Sequence, residues 1–137
     1  MRVIEREMRK ALETGTTLRR QNTRVYTFGG DYDLLERRTH VFLHGHLIAK
    51  IYPDRVVINN HGYPTRTTCD RLGVVLQMYC SAHVSLSYNS MILSVPCSIP
   101  GARRMWFGLN DNQEFTVPRT DVESVLSILE LNNNESQ

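Results

Sequence analysis

Arg19, Arg20 and Arg24, then Arg37-Arg38, Arg66 with Arg71, and Arg103-Arg104 place guanidinium groups beside turns and element ends along much of the chain. Of sixteen basic residues only Lys10 and Lys50 are lysines. An arginine presents a planar fork that grips phosphate or carboxylate oxygens in pairs and stacks on flat rings, whereas a lysine is a point charge. Phe28, Tyr63, Trp106 and Phe107 stand within a few residues of these arginines. These residue types suit capture of a nucleotide-like anion, with guanidinium groups clamping phosphates and a ring stacking the base. The candidate clamp is Arg19, Arg24, Arg66, Arg71, Arg103 and Arg104, with Trp106 or Phe107 as the platform. The plainer reading is an arginine-favouring codon usage, with solvated arginines and aromatics in the core.

Other chemistry finds less support. His40, His44 and His46 include a His-x-His spacing that can ligate a metal. Gly45 sits at the expected reversal, however, so His44 and His46 flank a turn, and no Asp or Glu falls near them in sequence. Any third ligand would come from His61 or His83, and solvated or hydrogen-bonding histidines are the expectation. Cys80 lies near His83 but follows the buried face of a helix. There is no G-x-S-x-G elbow, P-loop, G-x-G-x-x-G turn or C-x-x-C pair. Asp31, Asp33 and Glu36 beside Arg37-Arg38 read as a solvated charge cluster. The expectation is a binding protein, not an enzyme, with no catalytic residue, no metal and no cofactor.

Composition sets the frame. With 137 residues and 41% apolar content, the chain fits one domain with one core. No window approaches the length of a membrane helix, and the N-terminus lacks the apolar stretch of a signal peptide. Cys69, Cys80 and Cys97 are an odd set at irregular spacing, which points to reduced thiols in a cytoplasm. A net charge of +2 does not mark a nucleic-acid binder, yet residues 15–110 hold eleven basic groups against five acidic ones.

The elements that must position these groups follow from periodicity. Ile4, Met8, Ala11 and Leu12 line one face of a helix over residues 2–14, closed by Gly15. So narrow a stripe docks on its own domain or pairs with the same helix of another subunit. Strands are expected over 24–28, 40–44, 47–52 and 55–59, with a tight reversal at Gly45-His46 and a turn at Pro53-Asp54. A second helix opens at Thr67-Thr68, either of which can be the N-cap with Asp70 in the first turn, and buries Leu72, Val75, Leu76 and Tyr79. Two hairpins follow, 84–88 with 91–95 and 104–109 with 114–117. Thr120-Asp121-Val122-Glu123 reads as a capping box that opens a third helix along Val122, Val125, Leu126 and Leu129. The expected fold is α+β: an antiparallel meander sheet of about six to eight strands with N-terminal, central and C-terminal helices. Residues 1–131 form the domain and 132–137 a disordered tail.

Val41 to Ile51, containing Leu43-His44-Gly45 and Ile48-Ala49-Lys50-Ile51, followed by Gly62-Tyr63-Pro64-Thr65-Arg66-Thr67-Thr68-Cys69-Asp70-Arg71-Leu72, resembles a widespread group of small bacteriophage-encoded proteins. They share an L-H-G-x-x-I-A-x-I hairpin, a G-[WY]-x-T-x-T-T-x-x-R-L helix start and often an opening like Met1-Arg2-Val3-Ile4-Glu5. The likeness covers about the first 75 residues, enough for a helix, a meander and a second helix. It implies a phage origin and the host bacterial cytoplasm as location. A more remote similarity is to phage sponge proteins that trap cyclic nucleotide signals of bacterial defence, with no residue carried over. The leading expectation is a homo-oligomeric counter-defence protein that sequesters a nucleotide-like anionic signal molecule. The alternatives are an inhibitor that blocks a host defence protein by direct contact, and a weak nucleic-acid binder.

Overall fold

The computed structural model describes residues 2–30, 36–97 and 103–121. Helix α1 spans Val3–Thr14 and buries Ile4, Met8, Ala11 and Leu12, the stripe its spacing predicts. Gly15 ends it in the left-handed region at φ 69°, the dihedral that favours glycine, with the movable end of the Arg37 side chain packed beside it.

Five strands then run in order: β1 (Leu18–Arg20), β2 (Thr23–Phe28), β3 (Arg38–Leu43), β4 (His46–Ile51) and β5 (Arg55–Ile58). His44 and Gly45, at φ 52° and 79°, form the two-residue reversal between β3 and β4, a turn of the kind whose twist matches paired strands. The turn is one residue earlier than expected. A bulge follows it. Val41 pairs with Ala49 and Phe42 with Leu47, so Ile48 is the extra residue, and Ile48 and Ala49 are both buried.

Helix α2 spans Arg66–Cys80. Thr65 is its N-cap, accepting from the Thr68 amide at 3.2 Å, in place of the expected Thr67 or Thr68. The helix starts immediately after the Pro64-Thr65 step, which puts Asp70 beyond the first turn. Three more strands, β6 (His83–Ser87), β7 (Ser90–Pro96) and β8 (Arg104–Leu109), make a second antiparallel sheet in that order. The last described strand, β9 (Phe115–Pro118), returns to the first sheet and pairs with β5, giving the order β1-β2-β3-β4-β5-β9.

The architecture is therefore mixed α+β, with nine strands in two antiparallel sheets and two helices among the described residues. The single meander of six to eight strands is corrected on two counts. The three-residue β1 adds a strand, and β9 crosses back to β5 instead of pairing with β8 as a hairpin. The third helix from Val122 onward and the tail lie outside the described residues.

Alternate residues Val25, Val41, Ala49, Val56 and Val117 share one core with Met8 of α1, Leu72, Val75 and Leu76 of α2, and Met91 and Leu93 of β7. The two helices lie side by side and run the same way: Arg2 meets Asp70 at their starts, and Glu13 and Tyr79 line one cleft near their ends. The stripe of α1 that raised the possibility of pairing between subunits is buried in its own chain. No helix among the described residues is long and apolar enough to cross a membrane.

Candidate functional site

The arginines and rings singled out by the sequence lie in separate places. Arg19 and Arg24 are direct cross-strand neighbours on β1 and β2, both exposed on the outward face of the first sheet. Arg66 is exposed on the first turn of α2, its Nε 3.2 Å from Asp70. Arg71 is only 3% exposed: its Nε donates to Thr23 Oγ1 at 3.1 Å, and its Nη1 has no hydrogen-bond partner among the described residues. It shares the helix face of Leu72 and Val75, so it points into the domain. Arg103 is exposed just before β8. Arg104 donates to the Ser94 side chain, to the Ser94 carbonyl at 2.8 Å and to the Ser81 carbonyl at 3.0 Å, which ties β8 to β7 and to the end of α2. Trp106 is 67% exposed, while Phe107, one residue on and facing the other way, meets Phe115 at 5.4 Å. These eight residues do not close around one ligand.

A different set of arginines converges. Arg9, Arg37 and Arg119 line a cleft of about 580 Å³ between the C-terminal halves of α1 and α2 and the end of the sheet, together with Tyr52, Tyr79, Glu13 and Asp121. Its size falls within the usual range for small-molecule sites. Arg119 is held in place: Nε and Nη2 grip Asp121 at 2.8 and 2.7 Å, Nη1 donates to the Tyr52 carbonyl at 2.8 Å, and its guanidinium lies 4.6 Å from the Tyr79 ring centre. The Tyr52 ring carries Arg55 at 4.1 Å and Arg38 at 4.9 Å. The Arg9 Nε is buried without a hydrogen-bond partner among the described residues. Burial pushes the Tyr79 phenol up, against the pull of Arg119 and Arg37, so it is a neutral O–H at pH 7. Arg37 beside Gly15 also faces the carbonyl end of α1, where the helix dipole favours a cation and weakens the pull on an anion. Arg37 belongs to a pair the sequence singled out. Arg9 and Arg119 do not, and Tyr52 and Tyr79 read only as a strand end and a core face.

The two segments that carry the phage resemblance meet at a second hollow of about 470 Å³, lined by residues that include His44, His46, Ile48, Tyr63, Thr65 and Thr68. His46 stacks on His61 at 5.4 Å and leans on Tyr63 at 5.3 Å, the His61 ring hydrogen-bonds the Leu47 carbonyl, and His44 meets Asn22 at 3.3 Å. Ring contacts and hydrogen bonds thus occupy these histidines. No group of three His, Cys, Asp or Glu among the described residues could hold a metal ion. Cys69 and Cys80 are buried, and burial pushes the Cys80 thiol up to about 12, which keeps it protonated and unreactive at neutral pH.

The outward face of the first sheet carries rings. Tyr26 meets Phe42 edge-on at 5.9 Å, Phe28 meets His40 at 4.8 Å, and His40 meets Phe42 at 6.3 Å. Partial burial, and then the Lys50 charge, lower the His40 pKa from its ordinary 6.5. The folded state therefore disfavours the charged ring, so its contribution to stability is present above pH 6.5 and is lost as pH falls below it. We expect an NMR titration midpoint for His40 below 6.5. We also expect acid sensitivity between pH 7 and 5 to shrink in His40→Gln; a midpoint above 6.5 would contradict this.

Residues 1–98 match a family model described as Kyanoviridae Gp96 protein. No curated protein and no solved structure matches the chain. The histidine-lined hollow falls wholly inside the matched segment, whereas Arg119 and Asp121 complete the arginine cleft from beyond it.

Proposed function

Given that the chain belongs to the Kyanoviridae Gp96 family of phage proteins, we propose that it is a non-enzymatic counter-defence protein of the infected cell's cytoplasm. It captures a nucleotide-like, phosphate-bearing signal molecule in the arginine–tyrosine cleft. One observation carries this reading: Arg9, Arg37 and Arg119 surround a concavity of about 580 Å³ whose walls include Tyr52 and Tyr79. Phosphate oxygens reach the forks of Arg9 and Arg37, and Arg119 is preorganised by Asp121 on the face of Tyr79. The phage family fits a role inside an infected cell, and the counter-defence assignment itself rests on the chemistry of the cleft.

A second reading, blockade of a host protein by direct contact, draws on the other sheet. There Trp106, on the face of β8 opposite Phe107, is 67% exposed, and Tyr88 at the turn between β6 and β7 is 99% exposed, rings of the type that anchor protein partners.

The test is a thermal-shift screen against cyclic dinucleotides and ADP-ribose derivatives. A ligand at a hundred times its Kd stabilises by about 2.7 kcal/mol, and Arg37→Gln is expected to abolish that shift while Arg66→Gln preserves it. No shift with any of these ligands, or one indifferent to Arg37→Gln, rejects the cleft as the site.

A further inference from the structure

We propose that the outward face of the first sheet is a binding platform for single-stranded nucleic acid, separate from the cleft and independent of it. Strand register builds the platform in rows. Arg19, Arg24, Phe42 and Leu47 lie side by side across β1 to β4. Tyr26, His40 and Lys50 form the next row, and Phe28 with Arg38 the one after. Same-face rows are two residues, about 7 Å, apart, so the rings of Phe42, of Tyr26 with His40, and of Phe28 offer successive stacking positions along the strands.

Two physical oddities single this face out. The solvent side of an antiparallel sheet packed on helices normally alternates to polar residues, yet four rings stand here, with Phe28 49% exposed. Arg19 and Arg24 face each other directly, and like charges in that register repel. No carboxylate forms an ion pair with either among the described residues, although Lys50 on the far side of the rings is held by Glu114 at 3.0 Å. A phosphate chain relieves that repulsion, and unstacked bases cover the rings. A duplex offers the charge but hides its base faces, and an acidic polypeptide offers charge with no flat partner for the rings. The rings and the unneutralised arginine pair together select the single strand.

The experiment is fluorescence anisotropy of labelled oligo-dT and oligo-U, fifteen nucleotides long, with a hairpin duplex and polyglutamate as competitors. Binding at 50 mM salt is expected to weaken linearly in log–log form as salt rises, with a slope of about −0.7 for each phosphate neutralised. Phe28→Ala, at an exposed position that leaves folding intact, is expected to weaken binding about 5- to 100-fold. The Arg19→Glu, Arg24→Glu pair is expected to weaken it at least as much and flatten the salt slope, with an unchanged melting temperature. Arg37→Gln in the cleft is expected to leave it alone. The platform is overturned by absence of binding at 50 mM salt, by binding indifferent to Phe28→Ala, or by equal competition from duplex or polyglutamate, the last marking an acidic protein as the partner. Loss of binding in Arg37→Gln alone would overturn it too, moving the strand into the cleft.

Discussion

Asn60→Ala is expected to lower the free energy of unfolding by about 2 kcal/mol, chiefly through the hydrogen bonds its buried side chain gives up. Asn60 is 4% exposed, and its Oδ1 accepts from the amides of Gly62 and Asn112, both at 2.9 Å. Its Nδ2 donates to Asp111 Oδ1 at 3.0 Å and reaches the Met91 sulfur at 3.8 Å. One side chain thus joins the loop that leads into α2 to the turn between β8 and β9. Alanine removes all three hydrogen bonds; Gly62, Asp111 and Asn112 are themselves exposed, so water takes over part of the pairing and each lost bond costs about 0.5–1.5 kcal/mol. Asn60→Asp keeps the acceptor but sets a second carboxylate against Asp111, so it should fall between wild type and alanine at low pH and approach alanine at pH 7. Urea unfolding with an unchanged m-value measures the effect; a loss under 1 kcal/mol would show that water replaces the amide at no cost.

Met8→Ala should be of similar size, about 2–5 kcal/mol, for a different reason. Met8 is fully buried in the core, on a helix that packs against α2 and strands β1 and β2, and its truncation leaves a cavity where the core meets the N-terminal helix. For a domain of this length each kcal/mol moves the melting temperature by about 3–5 °C, so a fall of roughly 10 °C is expected. Val3→Ala, at a position 47% exposed on the same helix, serves as the comparison and should change stability by no more than about 0.5 kcal/mol. A Met8 variant as stable as wild type would mean that α1 is not part of the cooperative unit. It would also reopen the pairing between subunits that its narrow stripe first suggested.

Much of this architecture was legible wherever the signal is local. The spacing of Ile4, Met8, Ala11 and Leu12 reports a face, and it reports the same face in three dimensions. Strands β2 to β8 fall within two residues of their expected bounds at either end, because alternation and turn residues act over a handful of positions. Strand β1 leaves little trace in the sequence for a local reason as well: it has three residues, and its turn to β2 places Gln21 at φ 52° with no glycine to announce it. The partner of β9 depends on which edge lies within reach after folding, and no periodicity encodes that choice.

The candidate site divides along the same line. By residue type Trp106 and Phe107 are equal candidates for a stacking platform, but adjacent strand residues face opposite sides, and alternation alone separates the exposed indole from the inward phenyl ring. Arg71 reads as a surface cation until its position beside Leu72 on the buried face of α2 is considered. The meeting of Arg9, Arg37 and Arg119 comes from three distant parts of the chain and follows only from two parallel helices ending above the same corner of the sheet. Guanidinium clusters were therefore expected for a sound chemical reason, and the fold assembled a different one.

The smallest strand has a consequence for the chain as a polymer. An outermost strand with free amides and carbonyls can recruit the same segment from a neighbouring molecule and grow sideways into fibrils. Here that border is Leu18-Arg19-Arg20, three residues with two cations, and Arg20 is bound to Glu7 of α1. A border so short and so charged gives an incoming strand little to template on. Concentrated solutions of the protein would then crowd without lateral fibre growth along this margin.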